Sequence, residues 1–294
     1  MGALSASKPR CVAPVDAVLG EGPIWDPRIA RLLFLDIKDA KIFVYDPQTE
    51  ETRTVEASGG VSAIGLRRKG GYICARKDGF ARLTLGERAA EITPLANPER
   101  DKPGNRFNDG KVDLAGGFWA GTMDENEKDA AAGSWWRLAP DGAVERLDAG
   151  FHVTNGPAFD PDRRRVYFTD SARQTIFAAK VEDGGFCDKR AFLTFGAGEG
   201  YPDGMDVDRL GNLWVAFWDG AAVRRFSAEG ALIETIETPA LRPTSIVLSE
   251  SRAYITSARI GLSADQIDKF PLSGGLFEVR LNAPMSQPVR YFEG

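Results

Sequence analysis

The sequence predicts an all-β fold, a six-bladed β-propeller with four-stranded antiparallel blades. Three observations lead there. A short phrase recurs six times: a small or polar residue, three spacers, an apolar residue, then a turn and a β-run. It reads Glu21…Trp25, Ser62…Leu66, Asn108…Val112, Asn155…Phe159, Asp203…Val207 and Pro243…Val247, with leading positions 41, 46, 47, 48 and 40 residues apart. A period in the 40s carrying strands and turns is the signature of a propeller. Within a unit, four short β-runs are separated by tight turns. No amphipathic helical pattern of useful length competes; the best stretch, residues 126–133, is short, polar and Ala-rich and reads as a loop insertion over one face.

The first unit shows how a blade is written. Gly22-Pro23-Ile24-Trp25 starts an inner strand and Asp26-Pro27-Arg28 turns it. Leu32 to Asp36, Lys41 to Tyr45 and Glu51 to Val55 supply the second, third and fourth strands. Asp46-Pro47-Gln48-Thr49 makes the last turn, with proline pre-setting φ. In the second unit, Gly70-Gly71 turns the chain into the second strand, Tyr72-Ile73-Cys74-Ala75. The third and fifth units match each other: Asn108-Asp109-Gly110-Lys111-Val112-Asp113 leads to Phe118-Trp119-Ala120-Gly121, and Asp203-Gly204-Met205-Asp206-Val207-Asp208 leads to Leu213-Trp214-Val215-Ala216. The fourth repeats the first, Gly156-Pro157-Ala158-Phe159-Asp160-Pro161 standing for Gly22 to Pro27 and Asp170 for Asp36. The sixth is weaker, with Arg252 to Thr256 as its second strand. Blades bury both faces against neighbours, so many strands are continuous apolar runs, and Ala120, Gly121 and Ala216 suit the crowded centre. Residues 1–14 are expected to form an N-terminal arm, partly ordered by pairing with the last strand, and residues 15–294 a single propeller domain.

Composition excludes several function classes. Of 294 residues, 43% are hydrophobic and 27% charged, and the net charge is −5, which disfavours general binding to nucleic-acid phosphates. The run Arg163-Arg164-Arg165 fits a solvated hairpin turn. No apolar stretch reaches the roughly 18–20 residues that span a bilayer, and the N-terminus lacks the apolar centre of a signal peptide. Met1-Gly2 is followed by Ala6 where a myristoylation pattern wants Ser or Thr. Cys11, Cys74 and Cys187 have no metal-type spacing, and a cytoplasmic, reducing setting is expected.

Equivalent positions of a closed ring converge on its axis. Four of the six leading positions are Glu21, Asn108, Asn155 and Asp203, two carboxylates and two amides. These oxygen donors suit one divalent cation such as Ca²⁺, Mg²⁺ or Mn²⁺; Zn²⁺ and Fe²⁺ are compatible, although their usual His and Cys donors are missing. The bland reading is that Asn and Asp hold their own backbone at strand entrances. The only histidine, His152, is read as packing or surface, and no Gly-x-Ser-x-Gly elbow is present for a serine hydrolase. Trp119 and Trp214 are expected in the core, Lys111 and Asp113 bracing a strand entrance, and Asp109 in either role. Phe107, Tyr201 and Trp218 flank the expected mouth, as pocket lining or as rim packing.

The segment Arg106 to Asp113, followed by Phe118-Trp119-Ala120-Gly121-Thr122-Met123, resembles the gluconolactonase/regucalcin (senescence marker protein 30) family. Leu19-Gly20-Glu21-Gly22-Pro23, Thr154-Asn155-Gly156 and Pro202-Asp203-Gly204-Met205 are its other landmarks, in the expected order from about Val18 to Leu281. The resemblance implies a six-bladed propeller with one catalytic divalent metal at the channel mouth. It implies Glu21, Asn155 and Asp203 as metal ligands and Arg106 and Asn108 as substrate contacts. One departure stands out: where regucalcin-like members place a substrate-contacting Glu, this chain aligns Asn126, with Glu125 just before it. The expected reaction is hydrolysis of an aldono-1,4- or 1,5-lactone, with Asp203 as candidate base and a small-molecule sugar lactone as partner rather than nucleic acid or membrane. The alternatives are a phosphotriesterase or aryl-ester/lactone hydrolase on the same fold, or a non-catalytic metal-binding propeller. Loops 124–134 and 196–201 are expected to set the sugar preference.

Overall fold

A computed structural model describes residues 6–126 and 131–294. Residues 127–130, within the stretch read as a loop insertion, and residues 1–5 of the arm lie outside the described residues. In chain order, β1 is Arg10–Ala13 and is followed by six blades' worth of strands. Blade one holds β2 (Gly20–Asp26), β3 (Arg31–Asp36), β4 (Lys41–Tyr45) and β5 (Thr52–Glu56). Blade two holds β6 (Val61–Leu66), β7 (Tyr72–Arg76), β8 (Gly79–Leu85) and β9 (Ala90–Ala96). Blade three holds β10 (Asn105–Val112), β11 (Phe118–Asp124), β12 (Gly133–Leu138) and β13 (Val144–Phe151). Blade four holds β14 (Thr154–Asp160), β15 (Arg165–Asp170), β16 (Thr175–Glu182) and β17 (Gly185–Thr194). Blade five holds β18 (Tyr201–Val207), β19 (Leu213–Trp218), β20 (Ala222–Phe226) and β21 (Leu232–Glu237).

The sixth blade closes the ring. Its order is β22 (Pro243–Ser249), β23 (Arg252–Ser257), β24 (Leu276–Arg280) and then β1, with Cys11 opposite Phe277. Much of the N-terminal arm is therefore an outer strand of the last blade, so the two ends of the repeat array share one sheet. All strand pairs are antiparallel. Among the described residues the fold departs from all-β only briefly, at a 3-10 turn over Ser171–Arg173 and at α1 (Ala264–Lys269). The helix starts at a reciprocal cap in which Ser263 and Gln266 bond each other's backbone N–H. It buries no residue, which is why the apolar pattern did not reveal it.

The six leading positions share one backbone feature. In every innermost strand the register with its neighbour slips there: between Glu21 and Ile24, Val61 and Ala63, Phe107 and Gly110, Asn155 and Ala158, Pro202 and Met205, and Pro243 and Ser245. A β-bulge leaves residues unpaired and bends the strand, and so re-aims side chains. The recurring phrase in the sequence is thus a recurring bulge at the entrance of the innermost strand.

Apolar side chains from adjacent blades fill the spaces between them. Leu33, Leu35 and Val55 of blade one meet Ile64, Leu66 and Leu83 of blade two in one buried cluster. Close approach near the axis demands small residues: a Cβ on Gly121 would lie 2.4 Å from Thr154 Oγ1 of the next blade. Trp119 and Trp214 are fully buried, as their equivalent positions suggested. Each indole N–H donates to the aspartate six residues earlier, Asp113 or Asp208, at 3.0 Å. Asp113 also accepts from the Ala115 and Gly117 amides and from Arg137 Nε, so it braces the turn that follows the inner strand.

After β24 the chain crosses the end of the channel opposite the bulges. The Met285 amide donates to Glu250 O, and Gln287 Nε2 to Asp208 O. Arg290 Nη2 reaches Phe159 O, and the Phe292 and Glu293 amides reach Leu66 O and Gly116 O. The tail therefore contacts the inner-strand ends of blades six, five, four, two and three. Met285 and Phe292 of the tail are buried.

Candidate active site

The bulges place Glu21, Asn108, Asn155 and Asp203 in one place, all buried and all on the wall of one open cavity of about 610 Å³. Ser62, a leading residue of blade two, instead donates to Ala75 O and takes no part. Arg106, on the same strand as Asn108, is also buried and also lines the cavity.

A chain of hydrogen bonds fixes which way these amides face. Ser171 Oγ donates to Pro202 O at 2.6 Å, so it accepts from Asn155 Nδ2 at 2.9 Å. The Asn155 Oδ1 is thereby turned toward Asn108, whose Nδ2 donates to it at 2.8 Å and to Thr154 O at 2.8 Å. Asn108 Oδ1 in turn accepts from Arg106 Nη1 at 2.6 Å. The relay runs from blade five through blade four to blade three, and each amide oxygen retains a second lone pair.

The carboxylates are held differently. Asp109 sits in the bulge of β10 and accepts from the Gly110 amide at 2.7 Å and the Gly156 amide at 3.0 Å. Glu21 accepts from its neighbour, the Gly22 amide, at 3.1 Å. Among the described residues, Asp203 Oδ1 is buried with no hydrogen-bond partner. Burial pushes Glu21 up to about 8, with the Asp109 charge adding to the effect, and pushes Asp109 up to about 6. Asp203 rises well above the usual carboxylate range through burial and then through the charges of Glu21 and Asp109. Arg106 opposes these shifts at both Glu21 and Asp203.

An orphaned buried carboxylate oxygen beside a second buried carboxylate is the situation a cation resolves. Among the described residues no group of three or more His, Cys, Asp and Glu side chains is placed to hold a metal ion. The fitting set therefore mixes types: the carboxylates of Glu21 and Asp203 with the amide oxygen of Asn155. These hard oxygen donors fit a divalent cation of the Ca²⁺, Mg²⁺ or Mn²⁺ kind. His152 is elsewhere, its ring 3.2 Å from Asp170 and its amide bonded to the same carboxylate.

The remaining expected residues are partly gathered. Glu125 and Asn126 both line the cavity. Glu125 is tied to Lys77 at 2.5 Å and approaches Lys38 at 3.9 Å, while the Asn126 amide is held by Asp124. Tyr201 and Trp218, opposite each other in the β18–β19 register, form part of the wall; Phe107 does not, being in the core against Phe80 at 4.9 Å. Lys111 braces, as read, by reaching from blade three to Met205 O of blade five at 2.9 Å. Sequence reasoning left Asp109 undecided and passed over Ser171 and Lys38. Asp109 had a signal, being a second acid beside a leading position. Ser171 follows Asp170 just outside the repeated phrase, and no local pattern marks it.

A family model described as SMP-30/Gluconolactonase/LRE-like region matches residues 19–259. Regucalcin from Xenopus laevis is 34% identical over 286 residues, covering 94% of this chain and 95% of that protein. Among solved structures, a luciferin-regenerating enzyme superposes with a TM-score of 0.90 at 25% identity, covering 99% of this chain and 100% of that one. A regucalcin from Agrobacterium tumefaciens, described as a calcium-binding protein, superposes with a TM-score of 0.88 at 26% identity, covering 97% of each chain. The match spans most of the six-bladed ring, and this chain belongs to the SMP-30/gluconolactonase/LRE family.

Proposed function

We propose that this protein is a divalent-metal-dependent lactonase that opens a hydroxylated sugar lactone to its acid. The observation that carries the reading is the orphaned Asp203 Oδ1, buried beside Glu21 at the wall of an open cavity that Arg106 and Asn108 share. A family whose description includes gluconolactonase supports the reaction class, and the description of the Agrobacterium regucalcin as calcium-binding supports a hard cation.

Glu21, Asn155 and Asp203 would hold the cation. When bound, it supplies Lewis-acid polarisation of the lactone carbonyl and offsets the negative charge that develops there. The protein's own groups do the rest. Asn155 is held rigid by Ser171 and Asn108, so its oxygen needs no reorientation. Arg106, fixed through Asn108, presents guanidinium N–H groups to ring hydroxyls. Asp203 accepts the proton of the attacking water, as an ionised carboxylate at the cavity wall can. Collapse of the tetrahedral intermediate breaks the ring C–O bond, and the proton returns to the departing ring oxygen. Tyr201 and Trp218 offer an apolar wall to the less polar face of the sugar.

The test is acid release in a pH-stat after chelation and reloading with Ca²⁺, Mg²⁺, Mn²⁺, Zn²⁺ or Fe²⁺. Aldono-1,4- and 1,5-lactones should be opened faster than γ-butyrolactone, which lacks hydroxyls for Arg106. Turnover of a phosphotriester but of no lactone would replace this reading with the phosphotriesterase one.

A further inference from the structure

The cavity at the bulges is larger than the opening of a single sugar lactone needs. Such a lactone has about twelve non-hydrogen atoms, whereas a cavity of about 610 Å³ is of the size that encloses a drug-sized ligand. The ring order shows what lies across it. Each inner strand packs on those of the next and the preceding blade, so blade three faces blade six over the axis. Arg106 and Asn108 stand on blade three. Opposite them, blade six and its loop contribute Arg242, Ile260 and Gly261 to the lining, and the adjoining blade five contributes Tyr201 and Trp218.

Arg242, just before β22, ties this far wall together. Its Nε donates to Asp219 Oδ1 at 2.6 Å, and its Nη1 donates to Ile260 O. Its guanidinium lies 4.7 Å from the centre of the Trp218 ring, within cation–π range. The turn after β19, the start of β22 and the loop after β23 are thereby joined. The Ile260 amide donates to Val18 O at 2.9 Å, which carries the link to the entrance of blade one. Behind the wall, Leu19, Ile37 and Ala258 are buried, and Trp218 and Ile260 pack against them. The wall is held in place by the protein's own contacts.

Its chemistry is mixed. Trp218 and Ile260 bring apolar surface to the cavity, and Tyr201, 41% exposed, brings an aromatic body with a polar tip. A sugar ring has the matching character, with C–H faces and a rim of hydroxyls. Glu21, Asn155 and Asp203 place the reacting carbonyl on the wall of the same cavity. A ligand that meets both the bulges and the far wall must therefore be longer than one ring.

From this geometry we propose that the site takes a lactone carrying a second sugar, a glycosyl aldonolactone. Its lactone ring lies against Arg106 and Asn108, and its second ring lies against Trp218 and Ile260 on the far wall. Trp218 and Ile260 are then specificity-determining residues, and Arg242 is a positioning residue that acts through them. The proposal deepens the lactonase reading and rests on it for the ring opening, but binding of the second sugar is measurable apart from turnover.

The experiment is calorimetric titration of the calcium-loaded protein with gluconate, cellobionate and maltobionate, acids of one and two sugar units. At least one disaccharide acid should bind about tenfold more tightly than gluconate, about 1.4 kcal/mol. Trp218→Leu refills the apolar space without an aromatic ring and should cut that gain to about threefold or less, with calcium affinity within about twofold of wild type. A fault in folding alone would not single out the disaccharide. Ile260→Ala, checked for native near-UV dichroism, should lower the gain as well and keeps the test open should Trp218→Leu misfold. Arg242→Gln should reduce the gain, and Arg242→Lys, which keeps a cation beside Trp218 and Asp219, should restore most of it. Affinities within about twofold of gluconate for both disaccharide acids, or a gain that survives both Trp218→Leu and Ile260→Ala, overturn the proposal. In parallel, failure to hydrolyse either glucono-1,5-lactone or the disaccharide lactone would count against the lactonase reading, while the titrations still decide the place of the second sugar.

Discussion

The side-chain amide of Asn108 donates to that of Asn155, Nδ2 to Oδ1 at 2.8 Å, across the junction of blades three and four. Two residues that occupy the same place in a repeat thus hold each other, and the link continues to Arg106 on one side and Ser171 on the other. The amide oxygens are oriented before any ligand arrives.

Ser171→Ala should loosen that orientation. It removes the acceptor for Asn155 Nδ2 and the donor to Pro202 O. Outer partners of metal ligands are typically worth about 10- to 100-fold in affinity, so divalent-cation affinity measured by calorimetry should fall by about that factor. Stability in a denaturant titration should fall by only about 1 kcal/mol.

The buried carboxylates predict a definite pH dependence for metal-free protein. Glu21 is raised to about 8, Asp109 to about 6, and Asp203 is raised as well. Each binds its proton more tightly folded than unfolded, so between about pH 4.5 and 8 the folded state carries more protons and stability declines as pH rises. Chelated protein should accordingly lose several kcal/mol over this window in urea titrations. Asp203→Asn should flatten the profile and be more stable than wild type at pH 8 without metal. Calcium should stabilise wild type most at the alkaline end and displace protons when added near pH 6 in weak buffer.

Asp113→Ala should be far more damaging than a typical surface change. It strands two backbone amides and the Arg137 guanidinium in a buried turn and leaves the Trp119 indole N–H with only the longer bond to Gly184 O. Loss of such a buried acceptor costs on the order of 3 kcal/mol. Asp208→Ala strands a similar set, including the Trp214 indole, and should cost a comparable amount in equilibrium unfolding.

Phe292→Ala tests the tail. The ring is buried in the cluster between blades two and three, and its backbone is bonded to Leu66. A loss of about 3 kcal/mol is expected from the cavity left behind. Cation affinity should change little, because the tail crosses the end of the channel away from Asp203.

Much of the ring was legible in the sequence because a repeat writes its strands, turns and entrances six times. The pairing of Asp113 with Trp119 and of Asp208 with Trp214 shows why those stretches look alike: each builds the same braced turn. The gathering of Glu21, Asn108, Asn155 and Asp203 followed from ring symmetry alone. Other features depend on distance in space. The bulge that aims each leading side chain is a relation between two strands, invisible in either. Ser171 acquires its role only by meeting Asn155, and Lys38 comes to the cavity wall only by approaching Glu125 from another blade. The short helix after Ser263 escaped because it has no buried face to impose a period.

Asp203 and its neighbours are proposed to hold a divalent cation for lactone opening. The most direct measurement is acid release from an aldonolactone by chelated and calcium-, manganese- or zinc-reloaded wild type, run beside Asp203→Asn. Chelated wild type should be inactive and recover with at least one cation. Asp203→Asn, folded and of nearly identical shape, should lose at least about 1,000-fold in kcat/KM, on the order of 4 kcal/mol of transition-state stabilisation. Undiminished acid release by Asp203→Asn, or by wild type stripped of metal, would show that lactone opening does not depend on a cation held at Asp203.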